Sequence, residues 1–326
     1  MKMQAKIGET PISDIAMITE AEKTEQYCKE LNKSVKDCDM VIISHPYLYY
    51  VAKKYMKGKK FIYEAHNVEY LMKKAVLPSN DKYANKLVSL VYELEKECCE
   101  KSEIIMTCSK EDKLKLHDLY DVPIEKVIVV PNGVDVSATK YVSINARLHN
   151  KHNENLADQK IGLFMGSWHG PNLEACEYIF EIAEKCPDVV FLLMGSQCMY
   201  FEQHKNDYAI PENVGFLGLV SEEEKLKVFN TVDFALNPMM SGSGTNLKMF
   251  DYMSAGIPVI TTSFGTRGIE NTEGLIVAEI EEMPDVINNL VLSKCSKQIE
   301  TARRTVEDEF DWNVISKKLL RRLEKK

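Results

Sequence analysis

No stretch of this 326-residue chain approaches the roughly 20 consecutive apolar residues that a membrane-spanning helix needs. Its first residues, MKMQAKIGETPI, hold no apolar run, so no secretory leader is expected and any membrane contact should be peripheral. Cys-x-x-Cys pairs are absent. The 9 cysteines are odd in number and irregularly spaced, and Cys98 and Cys99 are adjacent. That pattern argues against a disulfide framework and fits free thiols in a reducing, cytoplasmic compartment. Basic excess is also lacking. Lys and Arg number 41 against 49 Asp and Glu, a net charge of −8, which disfavours nucleic acid as a partner. The imbalance lies in the second half: residues 1–138 carry 21 basic and 22 acidic side chains, and the rest 20 and 27. Internal repeats and low-complexity tracts are not evident. No cluster of metal ligands stands out, so neither a metal nor another cofactor is expected.

What is present is alternation. Short runs rich in Val, Ile and Phe lie at residues 39–44, 59–64, 104–107 and 127–130, separated by helical patterns. In the helix expected over 81–101, Tyr83, Leu87, Val88, Val91 and Leu94 share one face. After the turn Pro131-Asn132-Gly133 the pattern restarts, with strands expected at 161–165, 189–194, 214–217, 234–237, 258–262 and 275–277. Helices are expected over 172–185, 221–230, 247–255, 282–294 and 296–307, and Ser221 with Glu224 makes a capping box. Such alternation implies an α/β chain of two doubly wound parallel domains. The expected domains are 1–138 and 139–309, with 310–326 a C-terminal helix returning to the first.

Sheets of that kind bind ligands at the carboxyl ends of their strands. Three strands of the second run end in glycine, at Gly166, Gly195 and Gly218. That suits a rim that a ligand approaches closely, although ordinary strand-to-helix turns would look the same. The loop Ser241-Gly242-Ser243-Gly244-Thr245-Asn246 opens the helix at 247. Backbone amides in such a loop, with the helix dipole behind them, can hold an anion. Lys248 lies in the first turn and Asp251 about one turn on, where an acid can bind ribose hydroxyls. A capped helix with a surface Lys–Asp pair is the plainer reading. His66 and His45 each follow a strand's carboxyl end and are candidate hydrogen-bonding groups near neutral pH.

The order of several segments resembles the retaining GT-B glycosyltransferases, glycosyltransferase family 4. YEAHNVEY (63–70), MTCSKEDK (106–113) and VVPNGVD (129–135) resemble the acceptor domain and its exit. LFMGSWHGPNLEA (163–175), FLGLVSEEE (216–224) and the segment 237–262 resemble the donor domain. The resemblance covers roughly 36–315. It implies two Rossmann-like domains facing across a cleft. It also implies transfer of a sugar from a nucleoside diphosphate to a glycan or lipid-linked acceptor with retention, in surface glycan synthesis. By the same resemblance Asp251 replaces the ribose-binding Glu, and Ser243 stands where another Glu is commoner. Ser167 replaces a diphosphate-binding Arg, leaving Asn172, Lys248, Gly244, Thr245, Asn246 and the loop amides to hold the diphosphate. Gly166, Gly195, Ser196, Gly218 and Leu219 line the nucleotide. His66 faces the donor sugar as a catalytic partner of Lys248, with Asn67, Glu69 and His45 on the acceptor side. The leaving phosphate assists deprotonation of the acceptor.

The family's opening strand and glycine-rich loop have no counterpart in residues 1–35, so the first domain reads as incomplete. A partner chain that supplies the rest, a truncated product and a trimmed but working domain are all open. Two other functions stay open as well: a non-catalytic nucleotide-sugar-binding subunit, and a GT-B epimerase. Lys53, Lys54, Lys57, Lys59 and Lys60 form a basic cluster that would suit the inner face of an anionic membrane, or a solvated surface.

Overall fold

The computed structural model describes residues 6–8, 10–242 and 244–324. The chain divides after Pro131 into two units. That is earlier than the boundary after residue 138 read from the sequence. Val134 explains the difference: its N–H donates to Phe310 O (2.9 Å) and its carbonyl accepts from Trp312 N (3.1 Å), inside the second unit.

The first unit starts with a small antiparallel pair, β1 (Lys6–Ile7) and β2 (Thr10–Pro11), that sequence periodicity does not reveal. Next come α1 (Ser13–Glu20) and α2 (Glu25–Lys36), and the run IAMIT lies inside α1. Four parallel strands follow in spatial order of sequence: β3 (Met40–Ser44), β4 (Lys60–Ala65), β5 (Ile104–Thr107) and β6 (Val127–Val129). Between them run α3 (Tyr49–Ala52), α4 (Glu69–Val76), α5 (Lys82–Lys101) and α6 (Lys110–Tyr120). Asp81 starts α5 by accepting from Tyr83 N (2.7 Å) and Ala84 N (3.0 Å), a cap whose type is legible in sequence. The apolar stripe of α5 faces the core, with Leu87, Val91 and Leu94 buried.

Glu95 also sits on that buried face, fully enclosed. Its carboxylate accepts from the phenols of Tyr63 (2.9 Å) and Tyr120 (2.7 Å). It accepts too from Glu69 N (2.8 Å) and Tyr70 N (2.9 Å), the first two amides of α4. Burial raises its pKa, and the four donors oppose that rise. Glu95→Gln replaces one acceptor oxygen by a donor and leaves part of this set unpaired. Urea denaturation should show a loss of roughly 1–3 kcal/mol.

The five-lysine cluster is largely engaged within the fold. Lys53 Nζ lies 2.9 Å from Glu97 Oε1 and 4.7 Å from the Tyr50 ring centre. Lys54 pairs with Glu22, and Lys59 donates to Cys38 O at 2.5 Å. None of the nine cysteines forms a disulfide. Among the described residues no helix is long and apolar enough to cross a membrane.

The second unit opens with α7 (Ile144–Asn153) and builds six parallel strands. In sequence these are β7 (Lys160–Met165), β8 (Val189–Met194), β9 (Val214–Gly218), β10 (Phe234–Asn237), β11 (Val259–Thr261) and β12 (Ile276–Val277). Their spatial order is β12-β11-β10-β7-β8-β9, so the order reverses between β7 and β10. The crossover helices are α8 (Gly170–Glu184), α9 (Gln197–Gln203), α10 (Glu222–Phe229) and α11 (Leu247–Ser254). Ser221 and Glu224 form the expected capping box of α10. The helix expected over 282–294 is broken: α12 (Met283–Asn289) ends where Leu290 turns extended (φ −64°, ψ 121°). Two asparagines precede that break, and their weak helix propensity does not hold the pattern. After α13 (Ser296–Thr305), residues 306–310 make a wide turn into α14 (Trp312–Leu323). Trp312 and Ile315 of α14 pack on Gly133, leaving no room there for a Cβ.

Candidate functional site

The carboxyl ends of β7, β8 and β9 are stitched together through their glycines. Gly166 N donates to Met194 O (3.0 Å), and Gly195 N donates to Gly218 O (2.7 Å). Gly195 has φ +121°, and a Cβ there would lie 1.9 Å from Gly166 O. No side chain fits at that point, so the rim stays thin. Ser196 Oγ accepts from Trp168 N (2.8 Å) and fixes the loop beyond Gly166.

A pocket of about 490 Å³ opens over this edge, beside the point where the strand order reverses. Its size is ordinary for a small-molecule site. Gly166, Ser167, Asn172, Gly195, Leu219, Thr245, Asn246, Lys248 and Asp251 all line it. Gly244 belongs to the same loop, and Gly218 and Ser196 hold the rim by accepting from Gly195 N and Trp168 N. Ser243 lies outside the described residues. Leu219 is 74% exposed on the wall of the pocket.

Two helices begin at this pocket, α8 after His169 and α11 after Asn246, and neither of these two residues caps its helix with its side chain. Helix N-termini carry partial positive charge and amide donors. Lys248 stands between them. Its Nζ donates to Asn172 Oδ1 (2.8 Å), lies 3.8 Å from Met239 Sδ and sits 4.2 Å from the Phe164 ring centre. All three partners are neutral. Burial therefore lowers its pKa to about 7. Asp251, one turn on, is pushed above the ordinary carboxyl range by burial, against the pull of Lys225.

Several neighbours in the pocket carry no signal in the sequence pattern. Arg267 lines the pocket, donates to Gly242 O (2.5 Å) and lies 3.9 Å above the Phe264 ring. Its place after β11, the next strand of the same edge, is the clue that could have found it. Ser241 donates to Glu174 and ties the loop to α8. Asn246 Nδ2 donates to Gly265 O (3.1 Å), and a Cβ on Gly268 would meet Thr245 Oγ1 at 2.9 Å. The loop is thus held from behind while its front faces the pocket.

A family model described as "Glycosyl transferases group 1" matches residues 159–293, and one described as "Glycosyltransferase Family 4" matches residues 17–138. Together they span most of the chain. The chain is a GT-B glycosyltransferase, group 1/family 4-like. No curated protein matches it in sequence. Its fold is similar to that of HepE from Anabaena in complex with UDP, with TM-score 0.70, 14% identity, and coverage of 92% of this chain and 82% of that one. Sucrose-phosphate synthase from Thermosynechococcus elongatus is similar too, with TM-score 0.70, 15% identity, and coverage of 93% and 79%. WaaG, a glycosyltransferase involved in lipopolysaccharide biosynthesis, has TM-score 0.61, 15% identity and 94% coverage of both chains. At such identities the likeness is one of fold.

In the first unit of this glycosyltransferase, the sequence-selected residues His45, His66 and Glu69 come together at the ends of β3 and β4. The imidazoles of His45 and His66 stack at 4.6 Å and 23°. His45 Nδ1 lies 2.8 Å from Glu69 Oε1, and Tyr47 donates to Glu69 Oε2 (2.6 Å). His66 Nε2 lies 3.3 Å from Glu64 Oε2, and Ser44 donates to the same carboxylate. Asn67 follows His66 in the turn, partly buried, between β4 and α4.

Proposed function

We propose that this glycosyltransferase takes its sugar from a nucleoside diphosphate sugar held in the second-unit pocket and passes it to a hydroxyl acceptor. The observation that carries the reading is the Lys248 ammonium. It is desolvated, among the described residues it is met by neutral groups, and it is flanked by two helix N-termini whose N-cap side chains make no cap. That arrangement calls for an anion, and a diphosphate fills it.

In this reading Lys248, Asn172, Arg267 and the amides of the 242–246 loop hold the diphosphate. Asp251 takes the ribose hydroxyls, and Gly195, Ser196, Gly218 and Leu219 form the base side. Departure of the diphosphate is the main electrostatic task of transfer, and the same groups serve it. Transfer proceeds with retention. The acceptor is a hydroxyl of a glycan or lipid-linked sugar in surface glycan synthesis. HepE is known bound to UDP and to UDP-glucose, which makes uridine the first nucleotide to test. With Lys248 and Arg267 present, no metal is needed to balance the phosphates, and a chelator should leave transfer unchanged.

Calorimetric titration with UDP, GDP, UDP-glucose and GDP-mannose tests donor binding, and release of the nucleoside diphosphate tests transfer. Absence of binding by all four sinks the reading. The pH dependence is specific. Only the protonated form of Lys248 attracts the diphosphate, so affinity should fall towards tenfold per pH unit above about 7. In Lys248→Met that slope should vanish. The corresponding stability term has the opposite course. Between about 7 and the ordinary lysine value the unfolded chain binds more protons at this residue, so the free protein gains stability from it as pH rises.

A further inference from the structure

We infer that Trp168 and Leu219 form a slot that takes the nucleobase of the donor by its two faces, so that the pocket admits purine as well as pyrimidine nucleotides. The inference rests on the reading that a nucleoside diphosphate occupies the second-unit pocket, and it adds how the base is held there.

The pocket has two chemically different ends. One carries Thr245, Asn246, Lys248 and Arg267, which follow β10 and β11. The other is lined by Met165, Met194, Gly195, Leu219 and Val220, at or just beyond the ends of β7, β8 and β9. None of these five has a hydroxyl, amide or charged side chain. An anion belongs at the first end, and a flat ring at the second. Side chains of this kind cannot read the edge of a base by hydrogen bonding. Two of the rim amides are also committed, Gly166 N to Met194 O and Gly195 N to Gly218 O. What remains for recognition is the face of the ring, which every base has.

Two large apolar side chains stand at that end. β8 lies between β7 and β9 in the sheet, so the loops that follow β7 and β9 leave from opposite sides of Gly195. Trp168 comes just after β7, between the pocket-lining Ser167 and His169, and its N–H donates to Ser196 Oγ (2.8 Å). Leu219 follows Gly218, whose carbonyl accepts from Gly195 N (2.7 Å). Each residue is thus tied to the Gly195–Ser196 pair. Strands two apart are separated by roughly 10 Å, and a ring packed on both faces needs about 7 Å. Glycine keeps the floor low: no Cβ fits at Gly195, and a Cβ on Gly218 would meet nothing within 4 Å.

Trp168 is fixed in advance. Its ring meets Tyr200 edge to face (5.7 Å, 70°). Tyr200 in turn stacks with His204 (4.3 Å, 27°), and its phenol meets that of Tyr208 (3.0 Å). Even so, Trp168 is 46% exposed and Leu219 is 74% exposed. A base between them covers apolar surface that the free protein leaves in water, and a ring already held loses little freedom on binding.

Inorganic pyrophosphate separates the base from the diphosphate. Calorimetric affinities for pyrophosphate, UDP and GDP are compared in wild type, Trp168→Leu and Trp168→Phe, and tryptophan emission is followed in each titration. In wild type, UDP and GDP should bind within about tenfold of each other, and both should change the emission. Trp168→Leu should lose roughly 5- to 150-fold in affinity for both nucleotides. The emission of its remaining tryptophan, Trp312, should not respond. Its pyrophosphate affinity and thermal midpoint should match wild type, which separates loss of the slot from loss of the fold. Trp168→Phe keeps a ring and should recover part of the nucleotide affinity. A loss below about fivefold in Trp168→Leu, a wild-type emission indifferent to UDP, or a gap between UDP and GDP above about tenfold overturns the slot and leaves the diphosphate site standing. Failure of pyrophosphate and both nucleotides to bind wild type overturns the donor reading, and the slot with it.

Discussion

Replacing Lys248 by Met should abolish the thermal shift given by UDP and lower kcat/KM by about 10²–10³-fold, while the free protein melts no lower than wild type. The two halves of this expectation have one cause. In the empty pocket the ammonium meets an amide oxygen, a thioether and a phenyl face, none of them charged. The fold therefore bears a desolvation cost that only a bound anion offsets. Methionine keeps the length and removes that cost, so stability should hold or rise. In the proposed reading the leaving diphosphate then loses a cation as charge develops on it. Lys248→Gln is the sharper control. Its amide can still meet Asn172 and fill the space, but it brings no charge. A UDP affinity close to wild type in Lys248→Gln would show that hydrogen bonding, and not charge, holds the ligand, and the donor assignment at this residue would fall.

Much of this pocket was legible in the sequence because its parts are local. A β-run ending in glycine needs only a few residues to be recognised, and Gly166, Gly195 and Gly218 are adjacent through space because adjacent parallel strands end together. Lys248 and Asp251 were placed by helical spacing alone. The limits are equally physical. Arg267 enters from a loop after β11, where no periodicity marks a side chain for the pocket. Glu95 looks like a polar interruption of an apolar stripe, because its four donors come from β4, α4 and α6. The carboxylate partner of His45 could be named as a candidate but not paired with it, since the pairing depends on the left-handed turn after β3. The break at Leu290 was hidden because an apolar pattern continues across it while the backbone does not.

The largest loss of stability should come from Arg147→Met, on the order of 3–5 kcal/mol in chemical denaturation. The reason begins at the far end of the helix that carries Lys248. After Ser254, α11 closes with Gly256 at φ +66°. Ile257 N donates to Tyr252 O (3.0 Å) and Gly256 N to Met253 O (3.2 Å). The guanidinium of Arg147 donates to the carbonyls of Ala255 (3.2 Å) and Gly256 (3.1 Å), and Ala255 O also accepts from Val142 N (3.1 Å). Its other terminal nitrogen donates to Phe229 O and to Val232 O (3.0 Å), just beyond α10. One planar cation from α7 therefore joins the C-terminal ends of two crossover helices, where the helix dipoles favour positive charge. Arg147 is wholly buried, and desolvation lowers its pKa to about 10. It remains charged at neutral pH. Methionine fills much of the volume but removes the guanidinium donors from the carbonyls of Phe229, Val232 and Gly256, while Ala255 O keeps Val142 N (3.1 Å). Lysine keeps the charge but cannot fork between the two helix ends, so Arg147→Lys should recover only part of the loss. Because α11 carries Lys248 and Asp251 on its opening turns, the same variants should weaken UDP binding at temperatures where the protein is still folded. Unchanged UDP affinity in a destabilised Arg147→Lys would show that the clamp supports the fold alone and leaves the placement of α11's first turn to the contacts around Asn246 and Thr245.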